Sequence, residues 1–455
     1  MKRNSILDER YMSWKVLLPT NPVSRVLALG LEDGQLSSLA RSYDYLDTEL
    51  ADGIEYDIII LGNNIGEYTH SVNCLVSKVR ADGMVVNIGS DNISRQLKES
   101  GFKYCRQYAG LPAHQPRLYI PLGSALLRAK GISFHKPGSL KAKMALSLAK
   151  CLSRLGIKFH LMKNTVSIFA ADKQILNNDG IINWISNQVG YEIVDLVIYG
   201  GSDSDRRKIT ALAIAGNGNQ DVVVKIADTQ LATEAVKQEA EALQAGANSP
   251  IANCVPKVIG EGFCGSYYLQ IQEKLNSTGR QISSLTDAHI EFLAELSMVN
   301  RRECLLKETS LWQKLNAQAG NINNLSMEVE AAAKHVLSKA SANTKFFCHS
   351  SHGDFAPWNI SFDNGKLFIY DWEDSLRDGL PFSDIFHFIY RQAALVGPWQ
   401  GAEKIVRQMF EHAGRLTGNS VDNIKLSLSV WALNEYINHP CKEIEEILHS
   451  KELKV

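Results

Sequence analysis

The sequence predicts two fold classes in tandem: an α/β N-terminal part built on a parallel sheet, then a bilobal α+β part. Three observations predict this. Over about the first 110 residues, short apolar runs alternate with helical segments, the pattern of parallel strands covered on both faces. From about Tyr191 the pattern changes to three β-rich runs separated by polar turns and followed by a helix, the opening of a small antiparallel lobe. The C-terminal third is helical around one short hairpin whose ends carry acidic residues.

Composition sets bounds on these parts. A chain of 455 residues is too long for one hydrophobic core. Lys and Arg (48) balance Asp and Glu (49) at a net charge of -1, which gives no electrostatic footprint for nucleic acid or an anionic membrane. No apolar run is long enough to predict a membrane span, and the charged opening Met-Lys-Arg-Asn-Ser-Ile-Leu-Asp-Glu-Arg lacks the apolar stretch of a secretory signal. The eight cysteines (74, 105, 151, 254, 264, 304, 348 and 441) are scattered with no Cys-x-x-Cys pair. We therefore expect reduced thiols in a cytoplasmic protein. Nothing in the sequence signals an oligomeric state.

In the first domain, Val23 to Leu29 reads as a buried strand, Gly30 to Gly34 as a turn and Gln35 to Tyr43 as a helix. Asp57 to Leu61 is a second strand, Ser71 to Arg80 a helix and Gly83 to Ile88 a third strand. This alternation is Rossmann-like. Residues 104–123, with three prolines and Arg106 and Arg117, read as a structural crossover ending in a strand; the other reading is a loop for an anionic or sugar-like group. Leu140 to Leu155 has the spacing of an amphipathic helix, Thr165 to Ala170 is a strand and Ile181 to Val189 a helix. The turn Asn177-Asn-Asp-Gly180 closes this domain, 1–180.

The strand-turn-helix at Val26 to Leu36, the strand Tyr56-Asp-Ile-Ile-Ile-Leu61 and the strand Ala81-Asp-Gly-Met-Val-Val-Asn-Ile88 resemble class I methyltransferases that use S-adenosylmethionine. The resemblance departs at the turn after the first strand. Glu32 replaces the middle glycine of the family's Gly-x-Gly-x-Gly, and Ala28 stands where an acidic residue is expected. Glutamate adds bulk and negative charge where the backbone has to approach the ligand closely. The resemblance therefore implies a degenerate Rossmann scaffold, with a bifunctional methyltransferase-kinase as the alternative.

The second part opens with Ile193 to Gly200, the polar turn Gly201-Ser-Asp-Ser-Asp-Arg-Arg-Lys208, and Ile209 to Ala215. The hairpin signal Gly216-Asn-Gly-Asn219, the strand Val222 to Ile226 and the helix Leu231 to Ala245 follow. Lys225 sits among valines in the third of these strands, and an interior ammonium needs a partner. The next helix offers Glu234, Glu239 and Glu241. Backbone N–H groups at Gly201 and Ser202 are candidates for phosphate contacts. Tyr267 to Leu275 reads as a strand entering a hinge; by order along the chain, and not by residue chemistry, the backbone of Gln272, Glu273 and Lys274 is where a base edge is expected.

Ala288 to Arg301 and Met327 to Ala342 read as helices, and Lys345 to Cys348 as a strand. Then come His352-Gly-Asp-Phe-Ala-Pro-Trp-Asn359, a short hairpin, and Asp371-Trp-Glu373. The Asp354 to Asn359 spacing is that of the protein-kinase catalytic loop, with Gly353 in place of its arginine, and Asp371-Trp-Glu373 takes the place of Asp-Phe-Gly.

Over about residues 191–455 this arrangement is similar to the aminoglycoside phosphotransferase and choline kinase superfamily of small-molecule kinases. The resemblance implies a protein-kinase-like N-lobe (190–275) and a C-lobe with a helical substrate subdomain (276–455). It implies ATP and Mg²⁺, with Lys225 on the phosphates and Glu239 as its partner, Glu241 in reserve. It implies Asp354 as the residue that orients the acceptor hydroxyl and takes its proton. Asn359 and Asp371 are implied as Mg²⁺ ligands, with Glu373 as an additional contact. His352 is expected to be a buried hydrogen-bonding residue, Asp384 to cap the next helix or pin the loop, and Trp358 and Trp372 to pack. The function expected is phosphorylation of a hydroxyl on a small molecule or saccharide; a non-catalytic nucleotide-binding scaffold is the other alternative.

Overall fold

A computed structural model describes residues 9–62, 72–89, 91–112, 115–134, 150, 164–170, 180–201, 206–275, 284–318, 336, 338, 345–363, 365–416 and 421–453. The chain divides into two units, residues 1–236 with 258–274, and residues 237–257 with 275–455. Each is described by itself.

The first unit begins with a 3-10 helix, Glu9–Leu17. Next come β1 (Arg25–Leu29), α1 (Asp33–Ala40), β2 (Tyr45–Asp47), β3 (Tyr56–Leu61), α2 (Val72–Val76), β4 (Val79–Ile88), α3 (Asp91–Glu99), β5 (Lys103–Leu111) and β6 (Leu118–Pro121). They are followed by α4 (Ala125–Phe134), β7 (Thr165–Ala170), α5 (Ile181–Val189), β8 (Ile193–Tyr199), β9 (Ile209–Ala215) and β10 (Val222–Ala227). Helix α6 (Gln230–Ala247) crosses from the first unit into the second, and β11 (Val258–Cys264) and β12 (Tyr267–Glu273) complete the first.

Among the described residues these strands form one sheet in the order β11-β12-β10-β9-β8-β6-β5-β7-β4-β3-β1-β2. The β2-β1-β3-β4 end is parallel, β7 runs antiparallel between β4 and β5, and every pairing from β5-β6 onward to β11 is antiparallel. Strands β1 and β3 are buried on both faces. Val26, Ala28, Ile58 and Ile60 join one apolar core, and Leu27, Leu29, Ile59 and Leu61 join the other. The first of these cores continues under the sheet to Leu269 and Ile271 in β12, with Ile181 and Ile185 of α5 and Met12, Trp14 and Val16 of the 3-10 helix packed into it.

The sheet therefore runs through the boundary expected near residue 180. Its link is β6 against β8, where Leu118 faces Tyr199 and Tyr119 faces Ile198. Residues 104–123 form the β5-β6 hairpin that supplies this link, and Arg106 is a charged neighbour of the buried Asp195. The stretch ends in a strand, as expected, but pairs back on itself as a hairpin instead of crossing over. The expected helix at Ser71 to Arg80 is shorter, because Val79 already pairs with Tyr56 in a parallel ladder. The expected Leu140 to Leu155 and Met327 to Ala342 helices lie almost wholly outside the described residues, as does the Asn177–Asp179 turn.

The 3-10 helix is anchored by charge as well as packing. Lys15 Nζ lies 3.0 Å from Asp228 Oδ2 and donates to the Ser38 carbonyl at 3.0 Å, and Arg207 approaches the same carboxylate at 3.4 Å. Burial would raise the Asp228 carboxyl, but the two cations hold it below its ordinary range.

The second unit contains α7 (Asp287–Leu296), β13 (Arg302–Leu305), α8 (Ser310–Gln318), β14 (Lys345–Ser351), the hairpin β15 (Ile360–Asp363) and β16 (Lys366–Ile369), and β17 (Leu376–Gly379). The α-helices α9 (Ser383–Arg391), which runs on into a π-helical turn Gln392–Val396, α10 (Ala402–Gly414), α11 (Val421–Asn438) and α12 (Lys442–Leu448) follow. Strands β13, β14 and β17 form a small sheet. Cys304 on β13 and Cys348 on β14 form a disulfide with Cα atoms 6.3 Å apart. This corrects the expectation of reduced thiols throughout. Their sequence separation of 44 hid a pairing that only the β13-β14 register brings together. Among the described residues no helix is long and apolar enough to cross a membrane.

Candidate active site

The loop 352–359 runs from the end of β14 to the start of β15 and is gripped at several points. Gly353 has φ +84°, and a Cβ there would lie 2.0 Å from the Asp374 carbonyl oxygen. Only glycine permits both that conformation and that approach, which is why the position holds no arginine. Asp384, in the first turn of α9, accepts from the His352 N–H at 2.9 Å and the Gly353 N–H at 3.0 Å. It therefore pins the loop; the N-cap position of α9 belongs to Phe382.

His352 is buried, and its two ring nitrogens join the halves of the site. Nε2 lies 2.9 Å from the Tyr370 carbonyl, so it carries the proton and donates. Nδ1 accepts from the Asp354 N–H at 3.3 Å. One neutral ring thus holds both the backbone of Asp354 and the residue before Asp371. Trp372 packs against this ring at 4.6 Å and is buried as expected, whereas Trp358 is 41% exposed.

Asn359 Nδ2 donates to Asp354 Oδ2 at 2.8 Å and to the Asp354 carbonyl at 3.0 Å. This orientation turns the Asn359 Oδ1 away from Asp354. The Asn359 carbonyl accepts from the Tyr370 N–H at 2.9 Å, so the loop and the β15-β16 hairpin are tied at Asp371's neighbour. Asp371 adopts φ +67°, a left-handed conformation rare for a residue with a side chain and concentrated at functional positions. Asp371 and Glu373 are both half-buried. Among the described residues no cluster of three or more His, Cys, Asp and Glu side chains stands ready for a metal. The oxygens in question are one amide and two carboxylates, a sparse hard-donor set of the kind that suits Mg²⁺.

Three residues that sequence reasoning missed surround Asp354. His387 Nε2 lies 2.8 Å from Asp354 Oδ1. Glu435 on α11 faces the other side of that ring, 3.7 Å from Nδ1, and Arg391 lies 3.5 Å from Glu435. Burial would raise the Asp354 carboxyl, yet the His387 hydrogen bond and charge hold it below its ordinary range, with Arg391 assisting. Burial would lower His387, but its hydrogen bond to Asp354 and its charge interactions with Glu435 and Asp354 push it up to about 9. The spacing of Asp384, His387 and Arg391, one and then two helical turns along α9, was the available signal, since it places all three on one helix face.

The expected nucleotide-side residues are placed as follows. Lys225 lies in mid-β10, opposite Thr210 on β9 and Gln270 on β12, and is 8% exposed. Glu239 on α6 belongs to the second unit and is fully buried. Gly201 has φ +75°, and a Cβ there would lie 2.3 Å from the Lys208 carbonyl oxygen. Ser202 lies outside the described residues. Gln272 is flanked by Val223 on β10 and Val258 on β11, while Glu273 pairs with Val222 on β10.

Residues 201–412 match a family described as phosphotransferase enzyme family. Comparison with curated proteins finds no match to the chain. Solved structures with likeness to it include a ternary complex of APH(2″)-IIa with streptomycin and ATP, 16% identical with a TM-score of 0.39, covering 60% of this chain and 95% of that one. Another is spectinomycin phosphotransferase APH(9)-Ia with ADP and spectinomycin, 11% identical with a TM-score of 0.39, covering 60% of this chain and 92% of that one. A third is the amicoumacin kinase hAmiN, 10% identical with a TM-score of 0.40, covering 57% of this chain and 84% of that one.

Proposed function

From residues 201–412, which belong to the phosphotransferase enzyme family, we propose that the chain is an ATP- and Mg²⁺-dependent phosphotransferase acting on a hydroxyl of a small molecule or saccharide. The observation that carries this reading is the pairing of Asp354 with Asn359. The amide nitrogen is spent on the carboxylate, so the amide oxygen is left for a cation. Asp354 then orients the acceptor hydroxyl and takes its proton as the phosphoryl group departs from ATP. Asn359 and Asp371 would hold Mg²⁺, with Glu373 as an additional contact, and the ion would supply positive charge to offset that of the phosphates. Lys225 serves the phosphates, and Glu239 balances its charge. Gly201 borders the phosphates, and the backbone from Glu273, next to Gln272, serves the base. Because the transition state of phosphoryl transfer is loose, alignment and charge stabilisation do most of the catalysis.

For the N-terminal part, the reading is a Rossmann-like scaffold over 1–180, ahead of an N-lobe at 190–275 and a C-lobe at 276–455. The parallel order β2-β1-β3-β4, reversing between β1 and β3, supports it. At that reversal a Cβ on Gly62 would lie 2.2 Å from the Gly30 carbonyl oxygen, so the turns after β1 and β3 meet backbone to backbone. Glu32 stands at the start of α1, with its N–H donating to the Gln35 side chain at 3.0 Å. Both features favour a scaffold over a methyltransferase. Calorimetry with S-adenosylmethionine tests this, and measurable binding would reinstate the bifunctional alternative.

Calorimetry with Mg²⁺ and ATP on the full chain tests the kinase reading. Wild type is expected to bind. Lys225→Ala and Asp371→Ala are each expected to weaken binding by about 10- to 100-fold, the loss of one charged contact of roughly 1.5–3 kcal/mol. No heat from wild type at millimolar nucleotide would overturn it.

A further inference from the structure

Asp354 is held through both of its carboxylate oxygens. Asn359 Nδ2 donates to Oδ2 at 2.8 Å, and His387 Nε2 lies 2.8 Å from Oδ1. An approach that short between a ring nitrogen and a carboxylate oxygen needs a proton between them, so Nε2–H donates to Asp354. Arg391 Nε, 3.1 Å from the same nitrogen, is then a cationic neighbour and not a donor to it. His387 side-chain exposure is 4%, while that of Asp354 is 30%, so the imidazole stands behind the carboxylate and leaves one side of it open.

The support for His387 is layered. Asp384, one helical turn earlier on α9, grips the backbone at His352 and Gly353. The same helix face thus sets both the loop and the carboxylate it carries. Behind the ring, Nδ1 has no hydrogen-bond partner among the described residues, and the Glu435 carboxylate lies 3.7 Å from it. That separation exceeds a hydrogen bond, so the pair acts through charge. The order Asp354, His387, Glu435, Arg391 alternates in sign across partly buried groups, an arrangement that favours the charged imidazole.

We infer that His387, backed by Glu435, is the positioning residue of Asp354, fixing the plane of the carboxylate before an acceptor arrives. The inference rests on the reading of Asp354 given above. Each carboxylate oxygen keeps a lone pair for the acceptor hydroxyl, because His387 and Asn359 take one site apiece. The charged groups facing this cluster are Asp354 from the loop, Glu435 from α11 and Arg391 from α9 itself, with His439 adding to the field at Glu435; His352 meets Asp354 through the backbone N–H it accepts from.

Two readouts test this on the full-length chain. Histidine labelled with ¹³C reports ring titration, and His387→Gln assigns the resonance. The expected midpoint is about 9 in wild type, moving toward the ordinary histidine value of about 6.5 in Glu435→Gln. A wild-type midpoint in the ordinary range, or one that Glu435→Gln leaves in place, overturns the inference. This readout needs no turnover, so it is independent of the kinase reading. The second readout is hydrolysis of Mg²⁺-ATP with water as acceptor. His387→Leu is expected to lower kcat by about 10²-fold, the usual penalty for a misplaced group, with the KM for ATP unchanged. His387→Gln, which keeps a donor, is expected to recover part of that loss. A His387→Leu enzyme of unchanged melting temperature with wild-type kcat overturns the inference. Absence of hydrolysis by wild type instead counts against the kinase reading, while the titration still decides whether the clamp exists.

Discussion

Asn359 gives its amide nitrogen to Asp354, at 2.8 Å from Oδ2 and 3.0 Å from the backbone carbonyl. One side chain therefore fixes the rotamer of the carboxylate and, by exhausting its donor end, fixes which end of the amide faces away. Asn359→Ala removes both effects. We expect phosphoryl transfer to fall by about 10²-fold or more, with a higher Mg²⁺ concentration needed for half-maximal rate. A magnesium titration of the steady-state rate measures this. An unchanged magnesium dependence would remove Asn359 from the metal site.

Gly353 tolerates no side chain, because a Cβ would meet the Asp374 carbonyl oxygen at 2.0 Å and the backbone is left-handed. Gly353→Ala is expected to cost more than the roughly 1–2 kcal/mol of the conformation alone, since backbone must also shift. Thermal unfolding is the check. A melting temperature equal to that of wild type would mean the Gly353–Asp374 approach is looser than described.

The charged state of His387 has a consequence for stability that is separate from catalysis. Its pKa in the folded chain is raised, to about 9, so its contribution is fully present below the ordinary value near 6.5 and is lost as pH rises through about 9. The full effect corresponds to about 3 kcal/mol. Wild type should lose melting temperature between pH 7 and pH 10 more steeply than His387→Gln. Parallel pH curves for the two proteins would contradict a charged, buried imidazole.

Much of this was legible from local pattern. Strands Thr165–Ala170 and Ile209–Ala215 and helix Ile181–Val189 were read to the residue, because apolar periodicity and flanking glycines are local signals. The spacing of Asp354, Asn359 and Asp371 was likewise local. What escaped depends on pairing at a distance. The β6-β8 ladder joins two runs that each read as an ordinary strand, and nothing in either names its partner. His387 sits within Phe386–Ile389, where a histidine reads as core, and its carboxylate partners come from a loop and from α11. The Glu9–Leu17 helix was missed because it is short, 3-10 in geometry and stabilised by Lys15 reaching a carboxylate more than two hundred residues away.

The claim on which the account depends is that Asp354 serves phosphoryl transfer to a hydroxyl. Acceptor-dependent ADP release, measured across a panel of hydroxylated small molecules and saccharides with wild type and Asp354→Ala, tests it most directly. The account predicts release with at least one acceptor in wild type, loss of at least about 10³-fold in Asp354→Ala, and calorimetric ATP binding that survives the substitution. Turnover in Asp354→Ala equal to that of wild type would contradict it.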